Sequence, residues 1–453
     1  MRKYRFKQVE NYIALFRKLG EAVYLELSGK DANVAKASEY LQTWQQKAIE
    51  LGEYIEGEEG LGHATVNVLE EFCETLYEVN EEILSERGLS ADSAQNRLDS
   101  GVNKIEKSAH QDIDIQTLVV FLPYKASMWD SLESVWKRKK DEPGTTALVI
   151  PIPYFDKNPD GSPKVFHYEG DQYPEEVPVV SFEDYDFGKE HPDEVYIHNP
   201  YDDLNYVTSI HPFFYSENIK KFAEKLIYIP YFVLNEPDLN NKDTLEHIKG
   251  FALTRGVMNA DEVIVQSEQM KKAYVMVLTE HFGEETRENW ENKIKGTGSP
   301  KFEKVLSLKK EDMVIPEEWM KIILKPDGSW KKIVLYNTGV VAILNQGEKM
   351  ITKIKDVLQV FKENADDVAL LWRPHPLIQA TLESMLPDIL EDYRQIVEKY
   401  KAEGWGIYDD TSDMDRAIII SDAYYGDGSS MVQLYEKLEK PIMIQNTEVL
   451  NAE

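Results

Sequence analysis

The sequence predicts an α/β protein in which two Rossmann-like, doubly wound parallel sheets face a cleft, preceded by an all-α module. Short continuous apolar runs alternate with helical patterns in two successive series, as is typical of parallel strands covered on both faces by helices. Before them, roughly 100 residues show only helical periodicity. We therefore expect three units: a helical module at residues 1–112, an N-terminal Rossmann-like domain at 113–325 and a C-terminal one at 326–453.

The helical module is predicted from apolar residues at helical spacing. Val9, Ile13 and Phe16 follow this spacing, and turn signals at residues 57–62 and 87–90 divide the pattern. Several antiparallel helices are expected. Such a bundle is usually structural or forms a dimer interface, so we expect no catalytic group here and a possible homo-oligomer through this module.

Each sheet is predicted from its apolar runs. The first series comprises residues 117–123, 147–153, 194–198, 225–231 and 261–266. The second comprises residues 332–336, 367–373, 417–421 and 441–444, with helices at 350–361 and 382–400. Open parallel sheets bind ligands at the carboxyl ends of their strands. Polar residues directly after these runs are therefore the candidates for a site.

Composition excludes several classes of protein. The 453 residues carry 51 basic and 81 acidic side chains, a formal charge of −30, which argues against a nucleic-acid footprint and against general attraction to anionic lipid. Cys73 is the only cysteine, which rules out an internal disulfide. No run approaches the roughly 18 apolar residues that span a bilayer, and none resembles a signal peptide. We expect a cytoplasmic protein with at most peripheral contact at the inner face of the membrane.

The strongest local signal is Trp372-Arg-Pro-His-Pro376, at the end of an apolar run. Arg373 and His375, stiffened by prolines, could hold a phosphate rigidly at a strand end. The alternative is a surface loop with an incidental histidine.

A second signal, Asp427-Gly-Ser-Ser430, opens a helix predicted at residues 431–438. Small residues there leave backbone N–H groups free to approach an anion, and the hydroxyls of Ser429 and Ser430 add donors, so a diphosphate would fit. An ordinary helix cap is the alternative, and both descriptions can hold together.

In the first domain, His198 directly follows an apolar run and is the best candidate for a general base. Its ordinary pKa lies near neutral pH, and Asp202 or Asp203 could orient the ring. His211 is the competing candidate, and a purely structural histidine is the alternative to both.

Weaker signals lie at Ser299 and Lys301, in a glycine-containing turn, and at Asn337 and Thr338, after the first strand of the second domain. The latter lacks the glycine pattern of a dinucleotide fingerprint, which counts against a dehydrogenase. Because no group of residues has metal-ligand spacing, we expect no metal site. We also expect no cofactor, and we expect a nucleotide diphosphate as the ligand at the strand ends.

Taken in order, these segments resemble the CDP-glycerol glycerophosphotransferase family, which includes teichoic acid polymerases and primases and has the GT-B fold. The resemblance covers roughly residues 117–446 and is strongest in the second half. Arg373-Pro-His375-Pro stands for the family's Arg-x-His-Pro, Ser421-Asp422 with Asp427-Gly-Ser429-Ser430 for its Ser-Asp and Asp-Tyr-Ser-Ser, Gly298-Ser-Pro-Lys301 for its Gly-x-Pro-Arg, and His198-Asn-Pro for its His-Gly-Thr-Pro.

The resemblance implies transfer of glycerol phosphate from CDP-glycerol to an acceptor hydroxyl, with release of CMP, in the synthesis of a teichoic-acid-like cell-surface polymer. His198 would deprotonate the acceptor, while His375, Ser429 and Ser430 would hold the donor diphosphate. Leu434 stands where family members carry an acidic residue. Two alternatives remain: a GT-B nucleotide-sugar glycosyltransferase or epimerase-like enzyme, and a degenerate, non-catalytic transferase that acts as a binding module.

Overall fold

In a computed structural model of the chain, the N-terminal residues form a four-helix bundle with its own core. The structure describes residues 1–28, 32–158, 160–411 and 413–445. The bundle helices are α1 (Lys3–Ser28), α2 (Val34–Glu59), α3 (Ala64–Leu84) and α4 (Ala91–Asp112). Phe16, Trp44 and Phe72 meet at the centre, with ring centroids 5.3 to 6.2 Å apart. The predicted helical module is confirmed.

The first α/β domain is built on a six-stranded parallel sheet. Its strands and those of a small accessory sheet are β1 (Thr117–Leu122), β2 (Thr145–Val149), β3 (Tyr154–Lys157), β4 (Pro163–His167), β5 (Glu194–Ile197), β6 (Thr208–Ile210), β7 (Lys225–Tyr228), β8 (Glu262–Ile264) and β9 (Ile294–Lys295). The helices are α5 (Glu133–Asp141), α6 (Phe187–Glu190), α7 (Ser216–Ile219), α8 (Lys242–Ala252), α9 (Arg255–Asn259), α10 (Glu268–Phe282), α11 (Arg287–Lys293) and α12 (Pro300–Ser307). The order of the parallel sheet is β2-β1-β5-β7-β8-β9.

The accessory sheet was not anticipated from the sequence. β3 pairs antiparallel with both β4 and β6, giving the order β4-β3-β6. Its strands are short and largely polar, so they lack the continuous apolar runs from which the parallel strands were predicted.

The second domain contains a five-stranded parallel sheet. Its strands are β10 (Lys332–Thr338), β11 (Val368–Pro374), β12 (Ile407–Tyr408), β13 (Ala423–Gly426) and β14 (Ile442–Ile444), in the order β12-β11-β10-β13-β14. Its helices are α13 (Glu317–Ile323), α14 (Val340–Gln346), α15 (Glu348–Glu363), α16 (Ile378–Met385), α17 (Leu390–Glu403), α18 (Met414–Ile420) and α19 (Met431–Lys437). The predicted fold class, two doubly wound parallel sheets preceded by a helical extension, is confirmed.

One predicted strand is wrong. Residues 417–421 lie in and just after helix α18, and the strand follows at β13. The Asp413 side chain accepts a hydrogen bond from Arg416 N–H and caps α18, while Ala417 and Ile418 are fully buried. A helix buried on every side has the same apolar run as a buried strand, so periodicity alone could not separate them.

The two sheets have comparable switch points, where the strand order reverses. In the first, the chain leaves β1 for β2 and then returns to β5 on the other side of β1; in the second, β10 lies between β11 and β13. Such crevices at the carboxyl ends of strands are where open α/β sheets bind ligands. The loops after β1, β5, β10 and β13 are therefore the candidate ligand-binding segments.

The three domain ranges remain predictions. The packing of α12 and α13 bears on the boundary predicted near residue 326. Phe302 and Val305 of α12, together with Trp319 and Ile323 of α13, pack into the core of the second sheet. The core of the second domain thus includes helices that precede its first strand. None of the helices in the described ranges is long and apolar enough to cross a membrane.

Candidate functional site

The switch point of the second sheet is held together by a buried carboxylate. Asp427 accepts a hydrogen bond from Gly339 N–H at 2.7 Å through Oδ2, and its Oδ1 lies 3.1 Å from Lys353 Nζ. Asp427 and Lys353 are 5% and 2% exposed. Gly426 has a φ of +132°, and a Cβ there would lie 2.1 Å from the Asn337 carbonyl oxygen, so only glycine allows this close approach.

The predicted ligand groups Asn337 and Thr338 are instead engaged within the protein. Both are buried. The Asn337 side-chain amide donates to the Arg373 carbonyl at 3.3 Å, and Thr338 Oγ1 accepts from Trp372 Nε1 at 3.2 Å. In this arrangement these side chains stabilise the ends of β10 and β11.

Arg373 and His375 lie at the end of β11 but differ in how far their polar atoms are already engaged within the protein. The Arg373 guanidinium pairs with Asp409 and donates to the Thr411 carbonyl at 2.8 Å. The His375 side chain is exposed, and its Nδ1 accepts from Leu377 N–H at 3.2 Å, which places the proton of the neutral ring on Nε2. Desolvation lowers the pKa of His375, so at neutral pH its Nε2–H is an uncharged donor.

Ser429 and Ser430 lie in the loop between β13 and α19. Ser429 Oγ accepts from Met431 N–H at 3.3 Å and lies 3.2 Å from the Tyr424 hydroxyl. Ser430 precedes α19 without making a side-chain capping bond. Both serines line the cavity between the two domains, at the start of the seven-residue helix α19.

At the first switch point His198 is fully buried. Its Nε2 accepts from Tyr124 N–H at 2.6 Å, and its Nδ1 lies 2.8 Å from Ser131 Oγ, which in turn donates to the Met128 carbonyl at 2.7 Å. Burial, reinforced by the charge of Lys301, lowers the pKa of His198 to about 3. The ring is neutral, and neither nitrogen is free to accept a proton in this arrangement.

Asp202 and Asp203, which were predicted to orient His198, have other partners in the structure. Asp202 turns away and accepts from Ser216 N–H at 3.0 Å and Ser216 Oγ–H at 2.7 Å, and burial raises the pKa of Asp202 to about 6. Asp203 lies 3.2 Å from Arg255 Nε. The competing His211 caps a short turn, accepting from Phe213 N–H through Nδ1.

Lys125 is a residue that the sequence analysis missed. It lies three residues after the end of β1, next to Tyr124, whose backbone N–H donates to His198. Its ammonium lies 5.2 Å from the Tyr124 ring centroid and 4.7 Å from that of Tyr154, and no ion pair involving it occurs within the described ranges. Burial lowers the pKa of Lys125. Its position just past a predicted strand was the signal that could have identified it.

Ser299 and Lys301 lie where the two domains meet. Ser299 is buried at the start of α12. Lys301 forms a buried ion pair with Asp130, in the turn before α5. Three residues on, Lys304 lies 2.7 Å from Glu133 of α5 and 2.6 Å from Asp415 of α18. Both lysines therefore hold the domains against each other, and the Lys301 ammonium is paired within the protein.

A cavity of about 900 Å³ opens between the two domains. One wall carries the aromatic side chains Tyr201, Tyr231, Phe232, His247 and Phe251; the other carries Gly428, Ser429, Ser430 and Gln433. The Gln433 amide contacts that of Asn235 across the gap. Behind the aromatic wall, the Tyr231 and His198 rings are 5.8 Å apart. Tyr231 therefore links the cavity wall to His198 at the first switch point, while Ser429 and Ser430 of the second switch point line the opposite wall.

The described residues contain no cluster of histidine, cysteine or carboxylate side chains arranged to hold a metal ion. The chain matches no protein-family profile and no curated protein sequence.

Several solved structures have a similar chain fold. The UDP-GlcNAc 2-epimerase of Methanocaldococcus jannaschii, in complex with UDP-GlcNAc and UDP, is 11% identical over 73% of this chain and 83% of its own, with a TM-score of 0.44. The UDP-GlcNAc 2-epimerase of Neisseria meningitidis, bound to UDP-GlcNAc, is 12% identical over 72% and 82%, with a TM-score of 0.43. The N-terminal domain of Candida albicans trehalose-6-phosphate phosphatase is 10% identical over 73% and 82%, with a TM-score of 0.34. These values are too low to transfer a substrate or a reaction.

Proposed function

We propose that this chain is an enzyme that binds a nucleoside-diphosphate-activated sugar between its two sheets and transfers or rearranges the sugar. The observation that carries the proposal is the interdomain cavity, whose walls are the serine loop after β13 and an aromatic wall built on the loops after β5 and β7 and on α8. Its volume of about 900 Å³ suits a ligand of this size. Its position at the carboxyl ends of two parallel sheets is where such folds bind ligands.

On the second domain, we assign the diphosphate to Ser429, Ser430 and His375. The two hydroxyls border the cavity, and the His375 ring offers an Nε2–H donor. Hydrogen-bond donors fixed around a diphosphate bind it and stabilise the charge that develops on it during transfer. Arg373 and Asp427 are already paired with Asp409 and Lys353, so we assign them the role of shaping these loops.

On the first domain, we assign Lys125 as the cation that meets the diphosphate. Its ammonium is half-buried, next to the switch point, and is paired with no carboxylate in the described structure. Burial lowers the pKa of Lys125, and the charges of Glu169 and Asp156 offset this only in part, so the negative charge of a bound diphosphate would further stabilise the ammonium. His198 then acts as a positioning residue, because its Nε2 holds the Tyr124 backbone and its ring contacts Tyr231 of the cavity wall.

The second candidate is transfer of glycerol phosphate from CDP-glycerol. It is favoured by the residues of the Arg373-Pro-His375-Pro and Asp427-Gly-Ser429-Ser430 segments, which follow strands β11 and β13 of one sheet. In that case the hydroxyl of the acceptor would attack the phosphorus next to glycerol and displace CMP.

A panel of nucleotides tests these proposals. UDP-GlcNAc, UDP, CDP-glycerol and CDP are titrated by calorimetry into the wild type, Ser430→Ala and the control Ser384→Ala, whose exposed hydroxyl lies on α16. We expect UDP-GlcNAc or UDP to bind, and Ser430→Ala but not Ser384→Ala to weaken binding. Selective binding of CDP-glycerol and CDP would favour the second candidate. Binding of none of the four would favour a non-catalytic binding module.

A further inference from the structure

The interdomain cavity contains an aromatic chamber, defined by Tyr231, Phe232, His247, Phe251 and the neighbouring Asp243. The ring centroids of Tyr231 and Phe232 are 5.3 Å apart, those of Phe232 and Phe251 are 4.9 Å apart, and those of Phe251 and His247 are 5.2 Å apart. The rings thus form a continuous chain along one wall. Tyr231, Phe232 and Phe251 are half-buried and His247 is exposed, so part of each ring is open to a ligand.

The charges around this chamber all have one sign. Glu236, Asp238 and Asp243 line the same cavity, and none of the described residues that line it is a lysine or an arginine. Glu236 accepts from Gln266 at 2.8 Å and Ser267 at 2.6 Å, and these neutral donors leave its charge uncompensated. Asp243 is exposed in the first turn of α8. A phosphate placed here would meet like charges without a counter-ion.

The chamber also offers hydrogen-bonding groups from both domains. Asn235 and Gln433 approach one another across the cavity, and Ser429 and Ser430 lie on the same side as Gln433. Carboxylates accept hydrogen bonds from hydroxyl groups, amides both donate and accept, and aromatic faces cover apolar C–H surface. Together these are the groups that complement a ligand with many hydroxyls and apolar ring faces.

We propose that the aromatic chamber holds an uncharged sugar unit, with its ring face against Phe232 and its hydroxyls directed toward Asp243 and the paired amides. This inference rests on the proposed function and specifies it. The phosphates of a donor would lie outside the chamber, toward Ser430 and His375. The group in the chamber is then a neutral sugar and not a phosphate-bearing polymer such as poly(glycerol phosphate).

Matched sugars that differ in charge test the proposal on the full-length protein. Glucose, galactose and N-acetylglucosamine are each compared with their 6-phosphate esters by saturation-transfer NMR titration. We expect at least one neutral sugar to bind, and its phosphate ester to bind about tenfold more weakly, because the chamber carries only negative charge. Phe232→Leu should weaken the neutral sugar about 2- to 10-fold by removing the stacking surface.

A charge reversal separates electrostatics from shape. Asp243→Lys should reduce the preference for the neutral sugar over its ester by about tenfold, whereas the control Asp366→Lys, on the exposed turn before β11, should leave the preference unchanged. Binding of no sugar in the panel, or an ester that binds the wild type as tightly as its sugar, would overturn this inference. Nucleotide titrations on the same samples keep the two proposals apart, since nucleotide binding without sugar binding leaves the proposed function standing.

Discussion

At the scale of single residues, both histidines of the candidate site are held neutral by their surroundings. His198 uses one nitrogen for the Tyr124 backbone and the other for Ser131, and His375 uses Nδ1 for the Leu377 backbone. In each ring one hydrogen bond fixes the tautomer, which decides whether the remaining nitrogen donates or accepts. His375 thereby keeps an Nε2–H donor on an exposed ring, whereas His198 organises the backbone behind the aromatic wall.

The lowered pKa of His198 predicts a dependence of stability on pH. Because the folded pKa is about 3 and the unfolded pKa is near 6.5, only the unfolded chain gains this proton as the pH falls from 6.5 toward 3, so the folded state loses stability over that window. In His198→Gln this component is absent. The stability advantage of the wild type over the variant should shrink by about 2 kcal/mol between pH 7.5 and pH 5.

Urea unfolding at both pH values measures this difference. His281→Gln, at the exposed end of α10, serves as the control. A wild-type advantage that is the same at the two pH values would contradict the assignment of a buried, neutral His198.

Lys125 gives a second prediction at this scale. If its ammonium meets the diphosphate, Lys125→Met should weaken nucleotide-diphosphate binding roughly 10- to 100-fold, because a hydrogen bond to a charged group contributes about 1.5–3 kcal/mol. Lys125→Arg should retain part of the affinity, and Lys164→Met, on the exposed strand β4, should retain all of it. Calorimetric titration measures all three variants. Unchanged affinity in Lys125→Met would remove Lys125 from the site.

At the scale of elements, the ion pair between Asp427 and Lys353 joins three segments. Asp427 precedes α19, its partner Gly339 precedes α14, and Lys353 lies on α15 and also donates to the Gln445 carbonyl at 3.1 Å. These buried contacts therefore fix the loops that carry the candidate donor site to one another. This explains why Asp427, predicted to bind the ligand, is engaged in the protein instead.

Removing one partner of this pair should destabilise the fold more than removing both. Asp427→Asn leaves the Lys353 ammonium buried without a counter-charge, which should cost about 3–5 kcal/mol in the free energy of unfolding. The double variant Asp427→Asn with Lys353→Met should recover part of that loss, since no uncompensated charge remains. Urea unfolding of the single and double variants measures the coupling. Additive losses would show that the pair does not act as a unit.

At the scale of the whole molecule, the helical bundle has a core separate from the two sheet domains and touches them through few contacts. Arg2 reaches Asp193 at 3.3 Å and the His191 carbonyl at 3.3 Å, Lys7 pairs with Glu224, and the Tyr4 and His191 rings are 5.1 Å apart. The two sheet domains are instead linked by the buried pair of Lys301 with Asp130 and by Lys304 between Glu133 and Asp415.

This separation predicts that the bundle can be removed without loss of the site. A chain beginning at residue 113 should bind the nucleotide identified for the full-length protein within about twofold, because independent sites far apart rarely couple. Its oligomeric state should change if the bundle forms a dimer interface. Calorimetry and light scattering measure the two properties, and Arg2→Ala in the full-length chain controls for loss of the Asp193 contact. A folded truncation that no longer binds nucleotide would contradict the prediction.

The sequence by itself determined the architecture. A parallel strand that is buried on both faces requires a continuous apolar run, and such a run can be recognised from neighbouring residues in the sequence alone. It also placed His198, Arg373, His375 and the serine loop correctly at strand ends. It failed at residues 417–421, where a buried helix has the composition of a buried strand, and it missed the short polar strands of the accessory sheet.

Only the tertiary structure decided what each polar group does. Three ion pairs join residues that are far apart in the sequence. The separation is 36 residues for Arg373 and Asp409, 74 for Asp427 and Lys353, and 171 for Lys301 and Asp130. The spacing of residues along the sequence does not indicate which distant side chains will form ion pairs. A charged side chain that is a ligand candidate in the sequence is therefore paired within the fold. Lys125 is not conspicuous in the sequence, yet its ammonium lies over the rings of the adjacent Tyr124 and of Tyr154, 29 residues away, and forms no ion pair in the described structure.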